Sequence, residues 1–288
     1  MRLGVHVSIA GGLEEAVARA KRLDCTTMQI FSRSPRGGAA PRLLPEQIER
    51  FHAARLAAGL EPLAIHGPYI INLASPVTAR WTQSVGLYRE EYARAQLLRA
   101  RYLVTHVGSH LGQGETDGIS RVAAAITTAL EQQTPSTMIL LENTAGSGQG
   151  LGYNFEQLAA IREQVKLKAH VGICLDTAHL FAAGYSIHTE EGLERTVQEF
   201  DRIIGLPQLR LIHLNDSKVP FESRVDRHWH IGEGHIGLEA FRRIVNHPKL
   251  REMPFILETP KTGDAEDRRN LQTVRQLVRS PRRSTVAV

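Results

Sequence analysis

Eight short apolar, β-branched runs alternate with stretches of helical period, and no other feature of the chain restricts its fold so much. The runs are Leu3 to Val7, Thr27 to Phe31, Leu63 to His66, Leu103 to His106, Met138 to Glu142, Val171 to Asp176, Leu209 to His213 and Phe255 to Glu258. Helix-period segments separate and follow them: Leu13 to Leu23, Pro45 to Ala58, Thr78 to Arg99, Ile119 to Gln132, Asn154 to Val165, Glu190 to Ile204, Leu238 to Val245 and Ala265 to Val278. Eight strand–helix units in series predict an α/β fold, a closed (β/α)8 TIM barrel, as one domain over residues 1–279. An open doubly wound sheet would announce a phosphate site with a glycine-rich turn after its first strand, and Ala10-Gly11-Gly12 is a poor match. With 288 residues and 42% hydrophobic content, the chain can bury a core of barrel size. No apolar run approaches the roughly 20 residues that span a bilayer. Met1-Arg2 leads straight into a strand, so a cytoplasmic protein with no membrane partner is expected. Residues 280–288 lack periodicity and are expected to form a flexible tail.

In such barrels the loops at the C-terminal ends of the strands build the active site. From the third run onward, every run closes on a possible metal ligand: His66, His106, Glu142, Asp176, His213 and Glu258. A single histidine or acid at a strand end is ordinarily a cap for a neighbouring backbone group. Six in succession would converge on one rim, where carboxylates without cations repel one another. His179 stands three residues past Asp176, and Asp226 and His228 flank Arg227, which brings the candidates to nine. Imidazoles and carboxylates without thiolates suit zinc or manganese, and nine donors exceed the need of one four-coordinate ion. A multinuclear centre suited to phosphoryl chemistry is implied. Of the two cysteines, Cys174 lies in the apolar run Val171 to Leu175 and reads as a buried, inert thiol. The net charge of +5 fits a polyanionic partner and equally an ordinary soluble enzyme.

Taken in order, His66-Gly67-Pro68-Tyr69-Ile70-Ile71-Asn72-Leu73, His106-Val107-Gly108-Ser109-His110, Glu142-Asn143-Thr144-Ala145-Gly146, Leu175-Asp176-Thr177-Ala178-His179, His213-Leu214-Asn215-Asp216-Ser217-Lys218, Asp226-Arg227-His228 and Glu258-Thr259-Pro260 resemble the endonuclease IV family. The likeness runs from Gly4-Val5-His6-Val7-Ser8 to Glu258. It implies a trinuclear zinc barrel, with manganese possible at some positions, that acts on double-stranded DNA without an obligate protein partner. The implied reaction is hydrolysis of the phosphodiester 5′ to an abasic site, leaving a 3′-hydroxyl and a 5′-deoxyribose phosphate, together with cleaning of blocked 3′ ends. By the same resemblance His66, His106 and Glu142 hold one zinc; Glu142, Asp176, His213 and Glu258 hold a second; His179, Asp226 and His228 hold the third. Glu142 bridges, and Glu258 helps orient the attacking water.

The resemblance also implies that an Arg, a Tyr and a Leu fill the gap left by the flipped abasic nucleotide. Arg36 and Tyr69 match, and Ile70 stands in place of the leucine. Gly37-Gly38 replaces bulkier residues after Arg36, Val107 replaces a proline, and Trp229 follows His228 where a smaller or polar residue is usual; none of these changes removes a ligand. His110 and His230 read as neighbours of ligands rather than ligands, and His6 is ambiguous. The rival reading is a divalent-metal sugar isomerase or epimerase on a related barrel, which needs neither the set His179, Asp226 and His228 nor the pair Tyr69-Ile70.

Overall fold

The computed structural model describes residues 1–132 and 134–279, so the expected tail at 280–288 lies outside the described residues. The barrel strands are β1 (Arg2–Val5), β2 (Met28–Phe31), β3 (Leu63–His66), β4 (Tyr102–His106), β5 (Met138–Glu142), β6 (Val171–Asp176) and β7 (Leu209–His213). A two-stranded antiparallel insertion, β8 (Asp216–Ser217) with β9 (His228–Trp229), precedes the last barrel strand, β10 (Pro254–Leu257). Among the described residues the eight barrel strands pair in parallel in the order β1-β10-β7-β6-β5-β4-β3-β2. Helices α1 (Leu13–Arg22), α2 (Pro45–Ala57), α3 (Thr78–Leu97), α4 (Glu115–Leu130) and α5 (Phe155–Gln164) cover the outside, followed by α6 (Thr177–Ala183), α7 (Glu190–Ile203), α8 (Leu238–Asn246) and α9 (Asp264–Leu277). None of the described helices is long and apolar enough to cross a membrane.

The seam between β1 and β2 closes the barrel through the parallel bridge His6–Gln29, with Val7 N donating to Gln29 O at 2.8 Å and Thr26 N to Leu3 O at 2.9 Å. Gly4 permits this approach, because a Cβ there would lie 1.9 Å from the Thr27 carbonyl oxygen.

Strand side chains alternate between two faces, and the two parities here build separate cores. Leu63, Ile65, Leu103, Ile139, Leu141, Ile173, Phe255 and Leu257 belong to the large core beneath the helices. Ala64, Tyr102, Val104, Leu140, Cys174, Leu211 and Ile256 form a second, small cluster that fills the barrel. Following that inner parity toward the C-terminal ends leads from Ala64 to His66, Val104 to His106, Leu140 to Glu142, Cys174 to Asp176, Leu211 to His213 and Ile256 to Glu258. On the remaining two strands it leads from Gly4 to His6 and from Thr27 to Gln29. The apolar filling therefore ends in a polar layer to which every strand contributes. Both cysteines are buried and free, as the apolar surroundings of Cys174 led us to expect. Burial raises each thiol to about 12.

Besides the short strands β8 and β9, two helices differ from the periodicity reading. Helix α4 begins at Glu115 rather than Ile119, with Glu115 and Asp117 in its first turn, where acids complement the helix dipole. Helix α6 follows β6 with no loop. The Asp176 side chain accepts from His179 N at 2.9 Å as its cap, and Gly184, at φ 102°, ends it.

Candidate metal centre

Glu142 lies at the middle of the polar layer and is fully buried. Its Oε2 is 3.2 Å from His66 Nε2 and 2.9 Å from His106 Nε2, while its Oε1 is 2.9 Å from His213 Nδ1. His213 Nδ1 is also 3.2 Å from Glu258 Oε2 and 4.0 Å from Asp176 Oδ2. His228 Nε2 lies 3.4 Å from Asp176 Oδ2 and 3.5 Å from Asp226 Oδ1, and His179 Nε2 approaches Asp226 Oδ2 to 3.1 Å. Among the described residues donor atoms converge in three groups: His66, His106 and Glu142; Glu142, Asp176, His213 and Glu258; and Asp176, His179 and His228. The first two contain the same residues as two of the sets that the family resemblance implies. In the third, Asp176 stands within reach beside the expected His179 and His228, and Asp226 faces both imidazoles from a 47% exposed position.

These distances fit a metal centre. Donors at about 2.0–2.1 Å from a tetrahedral zinc stand roughly 3.3 Å apart, which is the range found here. His179 Nε2 and His228 Nε2 are buried without a well-aligned hydrogen-bond partner, so each presents an unused nitrogen to the cluster. The other ring nitrogens are engaged behind the cluster, the arrangement that fixes the tautomer of a metal-binding histidine. His66 Nδ1 donates to Gly67 O at 2.7 Å, His179 Nδ1 to Asn143 O at 2.9 Å and His228 Nδ1 to Glu258 O at 3.3 Å. His213 is reversed, donating from Nε2 to the Gln29 side-chain oxygen at 2.9 Å and turning Nδ1 inward.

The carboxylates and imidazoles oppose each other in charge. Burial would raise the Glu142 carboxyl, but His106 and His213 outweigh that cost and hold it well below the usual range. Burial likewise disfavours a charged His179, yet Asp176, Asp226 and Glu142 hold its ring up at about 10. His106 is raised for a similar reason, with Glu142 prevailing over burial.

Two asparagines and a buried aspartate brace the layer. Asn215 Nδ2 donates to Asp176 Oδ2 at 2.7 Å while its Oδ1 accepts from Glu258 N at 2.7 Å, tying β6 to β10. Asn143 Oδ1 accepts from Asp176 N at 2.6 Å. Asp216 accepts from Gly232 N and Ser217 N as well as from Gly234 N and Ile236 N, at 2.8 to 3.1 Å, and so fixes the insertion that carries His228. A Cβ on Gly234 would fall 2.4 Å from Ser217 O, which keeps that position glycine.

Beside the cluster runs a groove lined in part by Tyr69, Asn72, His106, Ser109, His179 and Asp226. Tyr69 and Ile70 project from its edge, 68% and 46% exposed. Arg36 is exposed in the turn that Gly37 N closes onto Ser34 O at 3.2 Å. Gly37 has φ 97°, and a Cβ there would be 3.2 Å from Ile70 Cδ1, so the Gly37-Gly38 turn lies against Ile70. The segment bearing Arg36 is anchored by Arg94, which donates to Ser32 O at 2.6 Å and to Pro41 O at 2.8 Å, and by the buried Arg33–Glu91 ion pair. His110 Nδ1 accepts from Gly114 N, and His230 pairs with Asn270; both lie outside the donor groups. The residue that strand-end reading missed is Gln29, which the inner parity places level with His6.

Residues 17–279 match the family described as a xylose isomerase-like TIM barrel. The chain is 45% identical over 279 residues to the probable endonuclease 4 of Chloroflexus aurantiacus, covering 96% of this chain and 98% of that one. It is 45% identical over 261 residues to the probable endonuclease 4 of Halothermothrix orenii, covering 91% and 94%. Among solved structures, endonuclease IV from Thermus thermophilus superposes with a TM-score of 0.86 at 38% identity, covering 96% of this chain and 98% of that chain. A D-tagatose 3-epimerase-like protein superposes with a TM-score of 0.67 at 20% identity, covering 96% and 95%, a likeness of fold alone.

Proposed function

The chain belongs to the endonuclease IV family of DNA-cleaving hydrolases, and from that premise we propose that it is a repair endonuclease that cuts the phosphodiester 5′ to abasic sites in duplex DNA with three zinc ions. Trimming of blocked 3′ ends belongs to the same reading. The observation that carries it is the set of three contiguous donor groups, joined through Glu142 and Asp176, at the mouth of a groove edged by Tyr69 and Ile70.

His66, His106 and Glu142 would hold one cation, and Glu142, Asp176, His213 and Glu258 a second. His179 and His228 would hold the third, with Asp226 and Asp176 as the carboxylates in reach. Divalent cations in such a centre would supply Lewis acidity and ease the loss of a proton from water, so that a nucleophile for phosphate forms at neutral pH. The protein's own part is to fix the donors. Carbonyl groups behind His66, His179 and His228 hold each ring in one tautomer, and the buried Glu142 and the largely covered Glu258 keep negative charge at the cluster. Glu258 would orient the attacking water. A sugar isomerase needs no third donor set and no exposed aromatic–aliphatic pair at the rim, and the epimerase-like neighbours share only the fold with this chain.

The deciding assay is incision of a labelled duplex carrying one elimination-resistant abasic analogue, with metal content measured on the same protein. Cleavage on the 5′ side with about three zinc ions per chain supports the reading; a fully loaded protein that leaves the duplex intact overturns it.

Metal loading should release protons. At pH 7 the His179 ring, held up at about 10, carries a proton that must leave before its lone pair can bind a cation, and the raised His106 ring holds its proton more firmly than a free imidazole. Calorimetric zinc titrations in buffers of different ionisation enthalpy should show this release, and it should shrink as the pH climbs toward 10. Heats independent of buffer would mean that the rings are neutral beforehand.

Arg36, Tyr69 and Ile70 would occupy the space left by the extruded nucleotide. Tyr69→Ala should weaken binding to abasic duplex by about 5- to 150-fold, the worth of one base–aromatic stack of about 1–3 kcal/mol. Affinity for undamaged duplex should change little. Equal losses on both duplexes would remove Tyr69 from damage recognition.

A further inference from the structure

Gln29 is a polar side chain in the otherwise apolar strand β2, and it is completely buried. Its amide lies between side chains at the ends of two distant strands. Nε2 donates to Glu258 Oε1 at 2.6 Å, and Oε1 accepts from His213 Nε2 at 2.9 Å. His6 Nδ1 stands 3.0 Å from Gln29 Nε2 and 3.1 Å from the same Glu258 oxygen.

The chemistry of these groups permits one arrangement. An ionised carboxylate only accepts hydrogen bonds, so the amide NH2 must face Glu258 and the amide oxygen must face His213. His213 then keeps a proton on Nε2 and turns Nδ1 toward Glu142 and Glu258, so that Nδ1 is the nitrogen whose lone pair a cation would take. Glu258 Oε1 is engaged from the β1 and β2 side, which leaves Oε2, 3.2 Å from His213 Nδ1, for the donor set. Among uncharged side chains, glutamine alone offers an acceptor and an NH2 donor at this reach. Asparagine is one methylene shorter, and glutamate would set a second carboxylate against Glu258 in a buried site. The backbone of Gln29 is itself fixed at the barrel seam by Val7 N and the bridge to His6.

We propose that Gln29 is a positioning residue of this centre, whose side-chain amide determines which nitrogen of His213 and which oxygen of Glu258 face the cations. The inference rests on the metal-dependent reading given above. It assigns to β2 a function in a centre whose ligands all come from later elements of the chain.

Gln29→Met, similar in length but without a comparable donor or acceptor, is the direct test, and Gln29→Glu, which keeps the shape and the acceptor, is the second variant should the first fail to fold. In zinc-loaded protein challenged with EDTA, the variant should hold one cation about 10- to 100-fold more weakly than wild type and the others normally, the usual effect of losing a group behind a metal ligand. Turnover on abasic duplex should fall with KM unchanged. Nitrogen-15 spectra of the histidines should place the His213 proton on Nε2 in the wild type and show its hydrogen bond lost in Gln29→Met. Wild-type metal retention and turnover in both variants would overturn the proposal and leave the metal reading intact, as would equal loss of every cation together with a lowered melting temperature. A wild-type chain that binds no zinc would overturn both.

Discussion

Glu142→Gln should abolish practical turnover and remove at least one cation per chain. The side chain keeps its shape, but one of its two oxygens becomes an NH2 group. If that group faces the present neighbours of Oε2, it meets His66 Nε2 and His106 Nε2; if it faces the other way, it meets His213 Nδ1. In either orientation one donor group loses its oxygen, and bridging becomes impossible. Loss of a single preorganised group where charge develops costs about 10²–10³-fold in kcat. A carboxylate shared by two donor groups should reach the upper end of that range or exceed it. Elemental analysis after gel filtration and single-turnover incision measure the two effects, and excess zinc should restore neither. A fully loaded variant with near-normal incision would remove Glu142 from the centre.

Metal loss in this variant need not mean unfolding. Glu142 is the counter-charge of His106 and His213. Without it the raised His106 ring gives up its proton more readily, because a buried imidazole deprotonates rather than remain an unpaired cation. The barrel core below, from Ala64 to Ile256, is apolar and independent of this pairing. Far-UV circular dichroism of Glu142→Gln should therefore match that of metal-stripped wild type.

Much of this architecture is legible in the sequence because strand parity and strand ends coincide. Six successive inner positions at the C-terminal ends are histidine, aspartate or glutamate, and no packing requirement explains so regular a placement. Gln29 escapes the same reading, and His6 stays ambiguous in it, for a physical reason. Neither resembles a ligand in series with the others, since an amide seldom binds zinc, and His6 lies inside the run Leu3 to Val7 rather than at its close. Applying the two-residue alternation within the first two strands places both on the inner face, His6 beside Gly4 and Gln29 beside Thr27. Helix α6 was invisible to periodicity, because all seven of its residues are buried and it has no polar face. Strands β8 and β9 have two residues each, too few for any alternation, and Asp216, whose side chain gathers four backbone amides, holds them in place.

Glu258→Gln separates positioning of the attacking group from assembly of the centre. Gln29 already aims an NH2 at the outer oxygen of Glu258, so the substituted amide avoids a donor–donor clash only by presenting its own oxygen there. Its NH2 must then point inward, toward His213 Nδ1 and the second donor group, where an acceptor oxygen stood before. Glu142, Asp176 and His213 remain, so the cation should be weakened rather than lost, and excess zinc should refill it. Turnover on abasic duplex should nevertheless stay about 10²–10³-fold below wild type, because the restored cation faces an amide where negative charge is needed. Folding and affinity for abasic duplex should persist, since Tyr69 and Ile70 are untouched. Incision by the refilled variant at the wild-type rate would show that Glu258 serves only to hold metal.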